Sequence, residues 1–141
     1  MTRGAKIGLV IFVALILFVV VGEVIERKQQ PMTPDQQRIV GQRAQFANSS
    51  STCKTLETYG GCHYNPDAAP NALVIFVYRV KPQFRQRVVS DLLGSNDLVP
   101  ALRKAGFRKV TFTTGGWSPD FQESYDLVTK PVSKMEGNYE P

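Results

Sequence analysis

The sequence predicts an α+β protein: an N-terminal transmembrane helix, then a small domain with a three- to four-stranded mixed sheet and helices packed on one face. Three observations predict it. Residues 7–22 form the apolar run IGLVIFVALILFVVVG, residues 73–80 form the β-branched and aromatic segment LVIFVYRV, and two helical patterns separate that segment from the next one of strand character. Of the 141 residues, those left after the anchor provide room for one small core and no second domain. The expected organisation is an anchor over residues 1–25, a stalk over 26–34, a domain over 35–130 and a flexible tail over 131–141.

At about 1.5 Å per helical residue the apolar run covers about 24 Å, somewhat short of a hydrocarbon core of roughly 30 Å. Val24 and Ile25 prolong it past Glu23, and Lys6 can reach the headgroups along its aliphatic stem. A secretory signal would share the basic start at Arg3 and Lys6. The run is long for a signal core, however, and no A-x-A site follows it, so an uncleaved, single-pass signal-anchor is expected. Arg3 and Lys6 with the terminal amine nearly balance Arg27 and Lys28 under the positive-inside rule. The short leader and two downstream cysteines favour an N-terminus inside and a domain outside the cytoplasm, periplasmic in a bacterium.

Along the domain, Thr33 as N-cap, Pro34 at the first position and Gln36 three residues after the cap predict a helix start. Ile39, Val40, Arg43, Phe46 and Ala47 give that helix a thin apolar stripe, and Asn48 to Ser51 end it. Residues 52–70 contain Gly60, Gly61, Asn65, Pro66 and Pro70 without a clear period, so a long loop is expected, with a short strand over Lys54 to Tyr59. Leu73 to Val80 reads as a central strand closed by Lys81 and Pro82. Phe84, Val88, Val89, Leu92 and Leu93 mark a helix that stops at Gly94. Leu98, Val99 and Leu102 mark a second, with Ser95, Asn96 or Asp97 as cap and Pro100 in its first turn. Gly106 ends it in a left-handed conformation, Val110 and Phe112 share one face of a strand, and Phe121, Tyr125 and Leu127 share one face of the last. The order predicts two parallel strands joined by a crossover, with an antiparallel neighbour.

The net charge of +5 is unevenly distributed. Arg79, Lys81, Arg85, Arg87, Arg103, Lys104, Arg108 and Lys109 face only Asp91 and Asp97 in the same stretch, whereas Asp120, Glu123, Asp126, Glu136 and Glu140 outnumber Lys130 and Lys134 later. Solvated surface accounts for most such runs; attraction to an anionic surface or polymer is the functional alternative.

Cys53 and Cys62 enclose a short loop that carries two glycines, and outside the cytoplasm a loop-closing disulfide is expected. A metal site from Cys53, Cys62 and His63 lacks a fourth ligand nearby, and haem attachment needs a cysteine where Tyr59 stands. His63 is the only histidine, and no G-x-S-x-G turn accompanies it. Asp120, Glu123 and Asp126 are the only carboxylate cluster, and on a hairpin edge such residues serve solubility. The segment TTGGW, residues 113–117, lacks the lysine and glycine spacing of a phosphate loop. Phe76, Tyr78, Arg79 and Lys81 interleave rings with cations, but a central strand buries rings and no RNA-binding signature is present, so nucleic acid is not an expected partner.

No catalytic set, cofactor or metal is therefore expected. The residues point to a membrane-anchored interaction or accessory module with an envelope protein as partner. Arg85, Arg87, Arg103, Arg108, Trp117 and Tyr125 form its candidate contact surface, because arginine and aromatic side chains dominate interface energetics. Binding of an anionic polymer or membrane surface through the basic stretch 79–109 is the alternative.

Overall fold

Pro34, whose fixed φ and missing N–H suit a first helical turn, opens helix α1 (Pro34–Ser49) in the computed structural model, which describes residues 31–136. The expected anchor, residues 26–30 of the expected stalk and residues 137–141 of the expected tail lie outside the described residues. Among the described residues no helix is long and apolar enough to cross a membrane. From Asp35 onward the chain forms one unit.

The strand expected over Lys54 to Tyr59 is instead a helix, α2 (Ser51–Leu56). Ser50 decides this locally: its backbone is extended and its hydroxyl accepts the Cys53 N–H at 3.0 Å, satisfying one of the helix's free donors. The strand lies further on, as β1 (Gly61–His63). β2 (Ala72–Phe76) is shorter than the apolar segment that announced it, since Val77 to Val80 turn away, although the Val77 N–H still donates to Thr113 O at 2.9 Å. A 3₁₀ turn over Pro82–Phe84 leads into α3 (Arg85–Gly94), and α4 (Leu98–Lys104) follows. The Ser95 hydroxyl accepts the Leu98 N–H at 3.3 Å at the start of α4. Gly106, at φ +89, turns the chain so that the Phe107 N–H donates back to Leu102 O at 3.0 Å.

β3 (Lys109–Thr113), β4 (Gln122–Asp126) and β5 (Ser133–Met135) complete a five-stranded mixed sheet with spatial order β1-β2-β3-β4-β5. β2 and β3 are parallel, Leu73 opposite Val110 and Ile75 opposite Phe112, with α3 and α4 in the crossover; the other pairs are antiparallel. The fifth strand corrects the expectation of three to four: residues read as a loose tail pair with β4, Met135 opposite Ser124 and Ser133 opposite Asp126.

Strand alternation sends Leu73, Ile75, Val110, Phe112 and Tyr125 to one face, where they are buried in one cluster with Leu56 of α2, Val89 of α3 and Leu98, Val99 and Leu102 of α4. Phe112 meets Tyr125 edge-on at 6.0 Å between ring centroids. The opposite face carries His63, Val74, Phe76, Thr111, Thr113, Gln122 and Ser124, and there the Thr111 and Ser124 hydroxyls bond at 2.8 Å.

Candidate functional site

Because β2 and β3 run parallel, their carboxyl ends leave the sheet on the same side, at Phe76 and Thr113. β1 begins opposite Phe76 and β4 begins opposite Thr113, so the connections before β1, after β2 and between β3 and β4 all meet at this end. Three close packings hold it together. The Arg79 N–H donates to Tyr59 O at 3.1 Å and its guanidinium to Glu57 O at 3.1 Å. A Cβ on Gly60 would lie 2.7 Å from Phe76 O, so only glycine fits there. Gly115, at φ +79, lies under the Phe76 ring, where a Cβ would come within 3.1 Å of a ring carbon.

The result is a ledge of rings. His63 lies 6.4 Å from Phe76, Phe76 lies 6.2 Å from Tyr78, and the Arg79 guanidinium stands 5.8 Å from the Tyr78 ring centroid. Gly115 and Gly116, both with positive φ, carry the hairpin past Phe76 to Trp117, whose side chain is fully exposed (106%). Tyr78 and Phe84 are each 50% exposed.

The six residues expected to form one contact surface are not brought together. Trp117 belongs to this end. Arg87 is exposed on α3 and faces Asp91 at 3.9 Å. Arg85 donates to Val80 O at 3.1 Å and closes the turn after β2. Arg103 donates to Leu127 O at 2.7 Å and Thr129 O at 2.9 Å at the other end of the sheet, where Arg108 is exposed. Tyr125 is buried (8%) beneath the helices, so its ring is not available to a partner. The basic stretch is likewise divided: Arg79 to Arg87 lie where β2 ends, and Arg103 to Lys109 lie where β3 begins.

Arg43 occupies this second end. It is the buried residue of α1, and its guanidinium donates to Gly106 O at 2.6 and 3.1 Å, to Asn71 Oδ1 at 3.1 Å and to Pro70 O. Phe46 and Tyr64 flank Phe107 edge-on, 5.7 and 5.5 Å away, and close the sheet below the arginine.

Within the expected carboxylate cluster, only Glu123 is built into a network. It accepts from Tyr125 Oη at 2.6 Å, Lys134 Nζ at 2.8 Å and Gln86 Nε2 at 3.2 Å, tying β4 to β5 and α3. Burial alone would push the Glu123 carboxyl up, but hydrogen bonds from Lys134, Tyr125 and Gln86 and the charge of Lys134 outweigh it, so it stays below its ordinary value. Burial, and then the hydrogen bond to Glu123 and its charge, push the Tyr125 hydroxyl up to about 12. Neither group is poised for proton transfer at neutral pH. Asp126 accepts the Val128 N–H at 2.7 Å as a turn residue.

The sulfurs of Cys53 and Cys62 lie at disulfide distance, with Cα atoms 5.6 Å apart, pinning α2 to β1. Among the described residues no three His, Cys, Asp or Glu side chains converge to hold a metal ion. An open groove of about 620 Å³ runs between α2 and the α3–α4 connection; Leu56, Leu92 and Leu98 line it, and Asp97 is its only ionisable group.

The sequence already marked the ledge, though only as punctuation. The pairs Gly60–Gly61 and Gly115–Gly116 sit in the two connections that meet there, and Tyr78 lies just beyond the last residue of β2. Compared with known proteins, the chain matches no family model, no curated protein and no solved structure.

Proposed function

We propose that this chain is a membrane-tethered interaction module whose contact surface is the aromatic end of the sheet. The observation that carries the reading is Trp117: a fully exposed indole at a hairpin tip, presented by two left-handed glycines, at the same end of the sheet as half-exposed Tyr78 and the cation Arg79. Exposed aromatic side chains gathered at one end of a sheet mark a place where something else docks. The tether rests on the apolar run at residues 7–22, and the extracytoplasmic placement on the cysteine pair.

The alternative, one basic face over residues 79–109, fits less well because the sheet separates its two halves.

A photoreactive benzoylphenylalanine placed at Trp117 in the full-length chain tests the proposal in intact cells, with the same probe at exposed Lys104, at the other end, as control. Adducts to protein or lipid from position 117 and few from 104 are expected. Equal or absent adducts at 117 would remove the aromatic end as the contact surface.

A further inference from the structure

The end of the sheet that carries Trp117 combines two kinds of group. One is aromatic: Trp117 fully exposed, with Tyr78 and Phe84 half-exposed. Among the described residues, no hydrogen bond or ring contact involves the Trp117 side chain. The other is cationic: Arg79, Lys81 and Arg87 are exposed, and Arg85 stands behind them on Val80 O. The acidic groups at this end are Glu57, exposed, whose backbone oxygen accepts from the Arg79 guanidinium, Asp120, in the hairpin, and Asp91, opposite Arg87 at 3.9 Å. Glu123, just inside, is already held by Lys134, Tyr125 and Gln86.

Taking this end as the contact surface proposed above, we infer that its partner is an anionic lipid surface, with Trp117 seated at headgroup depth and Arg79, Lys81 and Arg87 against the acidic headgroups. An indole has an apolar body and one N–H, which suits the boundary between acyl chain and headgroup, and neighbouring cations gain from a negatively charged leaflet. A sugar or nucleic-acid base calls for a ring fixed in place and framed by polar groups, and Trp117 has no such frame. The centre of a protein interface accepts arginine but is depleted of lysine, whereas here exposed Lys81 lies between the rings of Tyr78 and Phe84 in the sequence. A bilayer interface asks for no directional partner and accepts both.

Trp117 is the only tryptophan in the chain, so its fluorescence reports this one site. The full-length chain is reconstituted into phosphatidylcholine vesicles with and without phosphatidylglycerol, an anionic lipid that an extracytoplasmic leaflet can carry, using lipids brominated on the acyl chains as quenchers. Emission shifted to the blue and quenched several-fold more strongly with phosphatidylglycerol is expected, and Lys81→Glu, an exposed change, should remove much of that difference. Emission that stays water-like, accessible to iodide and unquenched by brominated lipid in both compositions overturns the inference. Equal quenching in both compositions also overturns it, because the cations would then contribute nothing. If lipid quenching fails while the probe at position 117 still captures a protein, the contact surface stands and its partner is not lipid.

Discussion

Tyr125 donates its hydroxyl proton to the carboxylate of Glu123, two residues back on the same face of β4, at 2.6 Å. The pair sits where β4, β5 and α3 meet, because Lys134 and Gln86 complete the shell around the same carboxylate. A hydrogen bond to a charged acceptor in a half-buried site contributes more than an ordinary one. Tyr125→Phe keeps the ring against Phe112 and removes only this bond. A loss of about 1 to 2 kcal/mol in urea unfolding is expected; an unchanged midpoint would show the bond to be replaceable by water.

The same network sets a pH dependence whose sign follows from the shifts. Glu123 is held below its ordinary value of 4.5, so its contribution is complete above that value and is lost as the pH falls through the lower value of the folded state. Tyr125 is raised from 10.0 to about 12, so its contribution is complete below 10.0 and is lost as the pH rises through about 12. Glu123→Gln should flatten the acid limb of a stability-against-pH curve. If the limb kept its slope, another carboxylate would be responsible.

Arg43 is a buried cation satisfied by backbone carbonyls rather than by a carboxylate. Its planar fork spans Gly106 O and Pro70 O together, a geometry that an ammonium on a flexible stem does not reproduce. Arg43→Ala should cost about 2 to 4 kcal/mol, and Arg43→Lys should recover less than half of it. Thermal unfolding of the two variants in parallel decides this, and full recovery by lysine would reduce the interaction to charge alone.

Reduction of the Cys53–Cys62 pair frees a short loop between α2 and β1. By the chain-entropy estimate this costs about 2 to 3 kcal/mol, and Cys53→Ser with Cys62→Ser should show the same loss in oxidising conditions. Unfolding with and without reductant checks it; a reductant-insensitive midpoint for the natural chain would mean that the loop is held by its other contacts.

Residue type and period made some of these elements legible in the sequence and left others hidden. The parallel strands around the crossover and the helices at Arg85–Gly94 and Leu98–Lys104 follow from residue type and period, because each buries a recurring apolar face, and the cysteine pair follows from the short glycine-bearing loop between its members. α2 escaped because its residues are mostly small or polar and span too few turns to show a period, while its start depends on one serine hydroxyl. β5 escaped for the opposite reason: Ser133, Lys134 and Met135 are all exposed, so no alternation marks them, and pairing with β4 alone makes them a strand. Tyr125 is named for a contact surface on its aromatic character, which suits a core and an interface alike; strand alternation places it among buried apolar side chains. Arg85 and Arg103 were legible as cations, but that backbone carbonyls hold them appears only once the turns are folded.

The strands lie in space in the order in which they occur along the chain. Each strand therefore pairs with one already synthesised, and no strand waits for a distant partner to be inserted between its neighbours. The widest gap to be closed is the one between β2 and β3, and α3 and α4 bridge it with local turns. The antiparallel neighbours carry little loop-closure entropy, and the parallel β2–β3 pair, far apart in sequence, is the costly closure. A chain that emerges N-terminus first can add one strand at a time to a growing edge, so each stage of synthesis leaves a sheet whose existing pairs need no rearrangement.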